Sequence, residues 1–226
     1  MSAVKIFVPD DVAALALGAD KVARAIAAEA DKRGVEIQIV RNGSRGMAWL
    51  EPLVEVQTAF GRIGYGPVSA ADVAVLFEAG FLDGGAHPLR IGKPEEHPFL
   101  LRQTRLTFAR VGIVDPLSVE DYVAHGGLLG LKRALEIGAA ATLEEITKSG
   151  LRGRGGAGFP TGIKWNTVAD AKADQKYVVC NADEGDSGTF ADRMIMEGDP
   201  MVLIEGMAIC AFAVGATKGF VYSRSE

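Results

Sequence analysis

Residues 150–165 read Gly-Leu-Arg-Gly-Arg-Gly-Gly-Ala-Gly-Phe-Pro-Thr-Gly-Ile-Lys-Trp and carry six glycines. Glycine gives up more backbone entropy on ordering than any other residue. Such a run belongs where the chain must turn through positive φ or come close to a ligand. Arg152, Arg154 and Lys164 lie in the same stretch. Backbone amides with cationic side chains beside them make an anion cradle, so the spacing points to the phosphate of a nucleotide-type ligand. Further on, Asn181-Ala-Asp183-Glu184-Gly-Asp186-Ser-Gly188 sets three carboxylates within four residues, directly after an apolar run. They can hold a metal, act as bases, or accept hydrogen bonds from ribose hydroxyls. A metal ion would find no His or Cys beside them.

Several familiar chemistries are excluded. Gly153-x-Gly155-x-x-Gly158 satisfies G-x-G-x-x-G, but its Rossmann meaning requires a strand before and a helix after. The pattern here places a helix before the loop and Phe159-Pro160-Thr161-Gly162 after it. A Walker loop is excluded because Ile163 separates Gly162 from Lys164 and no Ser or Thr follows the lysine. No Ser, Cys or Lys stands beside a partner base, which argues against a hydrolase. His87, His97 and His125 are read as structural, Cys180 as core filling, and Trp165 as an anchor for the glycine loop.

The elements that must position these loops follow from periodicity. Strands are expected at 4–8, 35–40 and 53–58, with a helix at 20–33 stopped by Gly34. Residues 61–67 read as a turn-rich return, and Ser69 as the cap of a helix over 70–79. That order suits a small thioredoxin-like α/β domain over 1–83. Prolines and glycines make 84–117 a linker. A domain over 118–226 then carries helices from Ser118, over 127–137, and from a Thr142/Glu145 capping box to Ser149-Gly150. A short buried strand at 176–180, a helix opened by Asp199-Pro200, and a strand at 219–223 complete a parallel βαβ unit. The closing strand has nothing after it to cover it, as expected of the N-terminal part of a longer polypeptide.

The chain has 226 residues, a formal net charge of −5, 48% hydrophobic and 23% charged residues, and only two cysteines, Cys180 and Cys210. The acidic balance argues against nucleic acid. The cysteines have neither metal nor disulfide spacing. The opening residues lack a signal-peptide apolar segment. The apolar stretch 201–214 is too short to span a membrane and is broken by Glu205 and Gly206. A cytoplasmic protein is expected.

Three motifs in order carry a resemblance. Gly150 to Trp165, then Tyr177-Val-Val-Cys-Asn-Ala-Asp-Glu-Gly185, then Asp192-Arg193 with Met196-Glu-Gly-Asp-Pro200, resemble the family of NADH-binding, FMN-containing flavoprotein subunits over residues 118–226. That family takes in the complex I flavoprotein, the diaphorase subunits of NAD-reducing hydrogenases and the beta subunits of NAD-dependent molybdenum formate dehydrogenases. The resemblance implies a Rossmann-like but non-classical α/β domain that binds FMN and NAD(H). It implies that Gly153, Arg154, Gly155, Lys164, Asn181, Asp183 and Glu184 line FMN. Gly156, Ala157, Phe159 and Asp186 would face the dinucleotide. Hydride transfer between stacked cofactors would need no catalytic acid, base or nucleophile and no bound metal.

The resemblance extends to the N-terminal unit, which is similar to thioredoxin-like [2Fe–2S] ferredoxin domains. No cysteine precedes Cys180, and Ser44 and Met47 stand in a loop that would carry ligands. A cluster needs soft ligands, so this unit is expected to be cluster-free and structural, with a [4Fe–4S] cluster only in a missing C-terminal part. Asp186-Ser187-Gly-Thr-Phe, where many complex I flavoproteins have Glu-Pro, resembles the soluble hydrogenase and formate dehydrogenase branch. Thr167 stands where many carry a further aromatic. The implied function is the diaphorase subunit of a soluble formate dehydrogenase. Its partners would be a small [2Fe–2S] gamma-type subunit and an iron–sulfur/molybdenum alpha-type subunit. A hydrogenase diaphorase, or a scaffold fragment with an incomplete flavin site, are the alternatives.

Overall fold

The computed structural model describes residues 3–186 and 188–224. The chain forms two compact units, residues 1–121 with 194–199, and residues 122–193 with 200–226.

The first unit is built on a five-stranded sheet in the order β2-β1-β3-β4-β5. β1 (Val4–Phe7) pairs in parallel with β2 (Ile37–Val40). The crossover between them holds α1 (Val12–Ala16) and α2 (Ala19–Arg33). β3 (Val54–Thr58) runs antiparallel to β1 and also to β4 (Gly61–Tyr65). A parallel βαβ half followed by an antiparallel pair is the thioredoxin-like arrangement, and the fold class is as the sequence implied. Alternation explains the strands, since Val54 and Val56 both point into the core beside Ile6. α2 buries Val22, Ile26 and Ala30 on one stripe, and Gly34 ends it at φ +65. α3 (Val73–Glu78) adds Leu76 and Phe77 to the same core.

Several expectations need correction. Residues 61–65 are a full strand rather than a return, because each pairs with β3 in register. Its glycines hid it: a Cβ on Gly64 would meet Ile91 Cγ1 at 2.9 Å. α3 starts at Val73 rather than 70, because Asp72 takes the amide and hydroxyl of Ser69 and holds 69–72 as a turn. The stretch expected as a linker lies within the unit. It supplies β5 (Arg90–Gly92), which pairs with β4, and α4 (Pro98–Leu101), which His97 caps. Val111 and Val114 are buried, and the Arg62 guanidinium donates to the carbonyls of Gly112 at 3.2 Å and Ile113 at 2.6 Å.

The loop after β2 is buried and polar. Arg45 makes a two-pronged ion pair with Glu55 on β3, at 2.8 and 2.7 Å. Ser44 donates its hydroxyl to Glu51 at 2.5 Å, and the Leu53 amide donates to the other carboxylate oxygen at 2.9 Å. Burial dominates and pushes the Glu51 carboxyl up to about 7. Residues 194–199 close the unit. Gly198 meets Gly43 backbone to backbone, and Arg110 pairs with Asp199 at 2.9 Å.

α5 (Val119–Ala124) begins with Ser118 accepting the Asp121 amide, as its sequence suggested. In the second unit α6 (Leu129–Ile137), α7 (Ala139–Lys148) and α8 (Thr161–Asp170) pack around α10 (Pro200–Val214). β6 (Tyr177–Ala182) and β7 (Lys218–Ser223) form the expected parallel pair, with Tyr177 opposite Lys218 and Ala182 opposite Ser223. β6 is not buried throughout: Tyr177 and Val179 are exposed while Ala182 is buried. Thr142 does not open a helix. α7 starts three residues earlier, and the Thr142 hydroxyl donates back to the Gly138 carbonyl at 2.8 Å. α9 (Ala191–Gly198), which periodicity did not signal, begins in this unit. Among the described residues no helix is long and apolar enough to cross a membrane.

Candidate functional site

The glycine loop is a closed excursion between α7 and α8. Gly153 donates its amide to the Phe159 carbonyl at 2.9 Å, and Thr161 donates to the Leu151 carbonyl at 2.8 Å. Arg152 bridges to Pro160 through the backbone, and its guanidinium donates to the Gly158 carbonyl at 2.7 Å. Arg152 therefore staples the loop through one nitrogen of its guanidinium, a role the sequence did not suggest. Arg154 and Lys164 remain exposed, and among the described residues neither has an ion-pair partner.

A helix does follow the loop. α8 starts at Thr161 with Pro160 in the cap position and no side chain capping it. Half of the context denied to the G-x-G-x-x-G pattern is therefore present. The other half is not, because α7 rather than a strand precedes the loop. Helix N-termini whose amides lack side-chain caps attract anions, and Lys164 sits in this first turn. Gly162 has a different task from its neighbours. A Cβ there would lie 2.6 Å from Thr147 Oγ1 and 2.7 Å from its Cα, so it lets α8 approach α7. Asn166 ties the same contact through its amide to Thr147 Oγ1 at 3.1 Å.

The remaining glycines are not explained by packing. A Cβ on Gly155 or Gly156 would meet nothing within 4 Å, and Gly156 has φ +93. The Phe159 ring is 49% exposed beside them. Open backbone, an exposed aromatic ring and two unpaired cations fit a flat, phosphorylated cofactor. Ala157 lies in the same exposed turn. Trp165 is half-buried, and Thr167 donates its hydroxyl to the Ile163 carbonyl.

β6 delivers the acidic loop. Asn181 and Ala182 are its last residues, not the start of the loop. Asn181 Oδ1 accepts the Asp183 amide at 3.1 Å. Glu184 sits at φ +47, and its two oxygens accept the amides of Asp192 at 3.2 Å and Arg193 at 2.9 Å. Asp183 and Asp186 have no side-chain hydrogen bond among the described residues. Ser187 lies outside the described residues. Among those described, no group of three His, Cys, Asp or Glu is placed to hold a metal ion. Burial, with Asp192 nearby, raises the Cys180 thiol above its ordinary value. His87 and His97 each accept a backbone amide two residues on, a structural use.

Residues 146–226, which contain both loops, match the family described as the Nuo51 FMN-binding domain. The NADP-reducing hydrogenase protein HndC of Solidesulfovibrio fructosivorans is 52% identical over 125 residues, 55% of this chain and 25% of that protein. An NADH-quinone oxidoreductase component of Rhizobium meliloti is 48% identical over 130 residues, 57% of this chain and 29% of that one. The alpha component of the NAD-reducing hydrogenase HoxS of Cupriavidus necator is 50% identical over 96 residues, 42% and 16% of the two chains. The chain thus spans less than a third of the length of these relatives. Over residues 146–226 the chain is thus similar to the 51 kDa-type family of FMN- and NADH-binding flavoproteins.

Proposed function

We propose that the chain supplies the cofactor-binding part of a diaphorase, an NADH:acceptor oxidoreductase that exchanges electrons with iron–sulfur centres. The observation that carries this reading is the glycine loop, where among the described residues nothing lies within 4 Å of a Cβ placed on Gly155 or Gly156. Gly153, Arg154, Gly155 and Lys164 would hold FMN, with Lys164 and the first turn of α8 taking its phosphate. Asn181 and Asp183 would form the opposite side of that site, and Glu184, which the resemblance also implies there, would hold their loop in place. Gly156, Ala157, Phe159 and Asp186 would face NAD(H), with the Phe159 ring stacking on the adenine. FMN, when bound, supplies hydride exchange with the nicotinamide and single-electron exchange with iron–sulfur centres. The residues of this chain orient the ligands and balance their charge. None of them has to carry a proton.

The finer reading is a component of an NAD-dependent formate dehydrogenase. It would work with a small [2Fe–2S] protein and an iron–sulfur/molybdenum protein, in the cytoplasm. The cysteine-free thioredoxin-like unit supports it, because this unit can add a docking surface but no cluster. The hydrogenase reading is favoured by the 52% and 50% identity to HndC and HoxS alpha. Purifying the complex through a tag on this chain and measuring NAD⁺ reduction with formate or with hydrogen decides between them. Activity with hydrogen alone sinks the formate reading. The diaphorase reading itself is tested by Lys164→Ala. It predicts lost FMN occupancy and lost NADH–dye reduction; unchanged occupancy would remove Lys164 from the site.

A further inference from the structure

The carboxylates of the acidic loop are not equivalent. Asp192 and Arg193 are the second and third residues of α9, the positions whose amides a capping side chain normally serves. Phe190, the residue before the helix, offers no acceptor; it lies at φ +55 with its ring 5.2 Å from the Arg193 guanidinium. Glu184 does the capping instead. It reaches back across the loop from its own left-handed conformation and accepts both amides, one on each oxygen. Its negative charge then sits at the positive end of the helix. The Asp192 carboxyl is raised by burial first and by the neighbouring Glu184 second. Each Glu184 oxygen accepts an amide of the protein's own backbone, whereas among the described residues the Asp183 and Asp186 carboxylates accept none.

We propose that Glu184 is a positioning residue of the flavin–dinucleotide site: it caps α9 and does not itself touch a cofactor. This rests on the FMN/NAD(H) reading of that loop and narrows its ligand-facing acids to Asp183 and Asp186.

The test uses the full chain and three variants, Glu184→Ala, Glu184→Gln and Asp186→Asn. Hydrogen exchange at the Asp192 and Arg193 amides is followed first, without added FMN. Glu184→Ala is expected to exchange ~10-fold faster at both. Glu184→Gln should fall between, since one amide oxygen replaces two carboxylate oxygens, and Asp186→Asn should match the unaltered protein. With FMN added, Glu184→Ala should bind it ~10-fold more weakly, Glu184→Gln should recover most of that loss, and the flavin midpoint potential should be the same in both. Unchanged exchange in Glu184→Ala overturns the proposal. So does a potential shifted equally by Ala and Gln, the mark of a charge removed from beside the flavin. A parent chain that takes up no FMN refutes the cofactor reading, while the exchange result still decides whether Glu184 caps α9.

Discussion

Tyr122 donates its phenolic hydroxyl to Glu205, a carboxylate buried in the middle of the most apolar helix of the chain. The same carboxylate accepts the amides of Leu128 and Leu131, both at 2.9 Å. Leu128 sits at φ +64, immediately before α6. Glu205 thus caps α6 from across the helix packing. Burial pushes its carboxyl up, but the hydroxyl and amide donors outweigh that and hold it below the usual range. Glu205→Ala would remove the carboxylate that accepts from one hydroxyl and two amides, and is expected to cost roughly 3 kcal/mol of stability. Glu205→Gln keeps one acceptor and should cost less. Denaturant unfolding of the second unit measures both, and equal stability of all three proteins would refute the capping role.

Glu51 gives a pH dependence of the opposite sign. Its carboxyl is raised from 4.5 to about 7, so the folded protein holds this proton after the unfolded chain has released it. The contribution is largest below pH 4.5, falls as pH rises towards 7, and stays flat above. Asp11 and Glu55, both nearby acids, push in the same direction. Glu51→Gln removes the ionisation. It is expected to be more stable than the parent at pH 8, on the order of 1–3 kcal/mol, with the difference closing by pH 5. Melting both proteins at the two pH values tests this; a gap that does not change with pH removes Glu51 as its source.

The sequence carried much of the fold because its signals were local. β1, α2, β2 and β3 followed from alternation or a 3.6-residue stripe, and α10 from Asp199-Pro200. Elements set by long-range pairing were missed. β4 holds Gly64 where the chain crosses the Ile91 and Pro94 side chains, and the strand character of β4 and β5 comes from β3 and from each other. α9 has no capping residue next to it in sequence, because its cap comes from Glu184. In the glycine loop, composition singled out the stretch but could not separate Arg152, which staples the loop, from Arg154, which does not. That distinction lies in a bond to the Gly158 carbonyl, and a list of cations does not contain it. The buried Ser44–Glu51 and Arg45–Glu55 pairs were likewise invisible, since polar residues in a loop read as solvated.

Gly162 should behave as a packing residue. A methyl group there would overlap the Thr147 side chain and Cα, and neither belongs to a flexible tip. Gly162→Ala is expected to lose about 1–3 kcal/mol by forcing α7 and α8 apart. The double substitution Gly162→Ala with Thr147→Ala should recover only part of that loss, because the 2.7 Å approach to the Thr147 Cα remains. Full recovery would place the conflict in the Thr147 hydroxyl alone.

Gly155 poses the contrasting case. Its Cβ would meet nothing within 4 Å, and its φ lies outside the left-handed region. Nothing in the folded chain objects to alanine there, so Gly155→Ala should match the parent in stability to within ~0.5 kcal/mol. If FMN lies against this backbone, the added methyl occupies the cofactor's space, and FMN affinity should fall by ~10-fold or more. Stability and affinity thereby separate: Gly162→Ala is expected to lower the first, and Gly155→Ala the second alone. Thermal melting of the FMN-free protein and titration with FMN measure the two quantities independently. An alanine at 155 that binds FMN as tightly as glycine would mean that the open face of this loop is not where the cofactor sits.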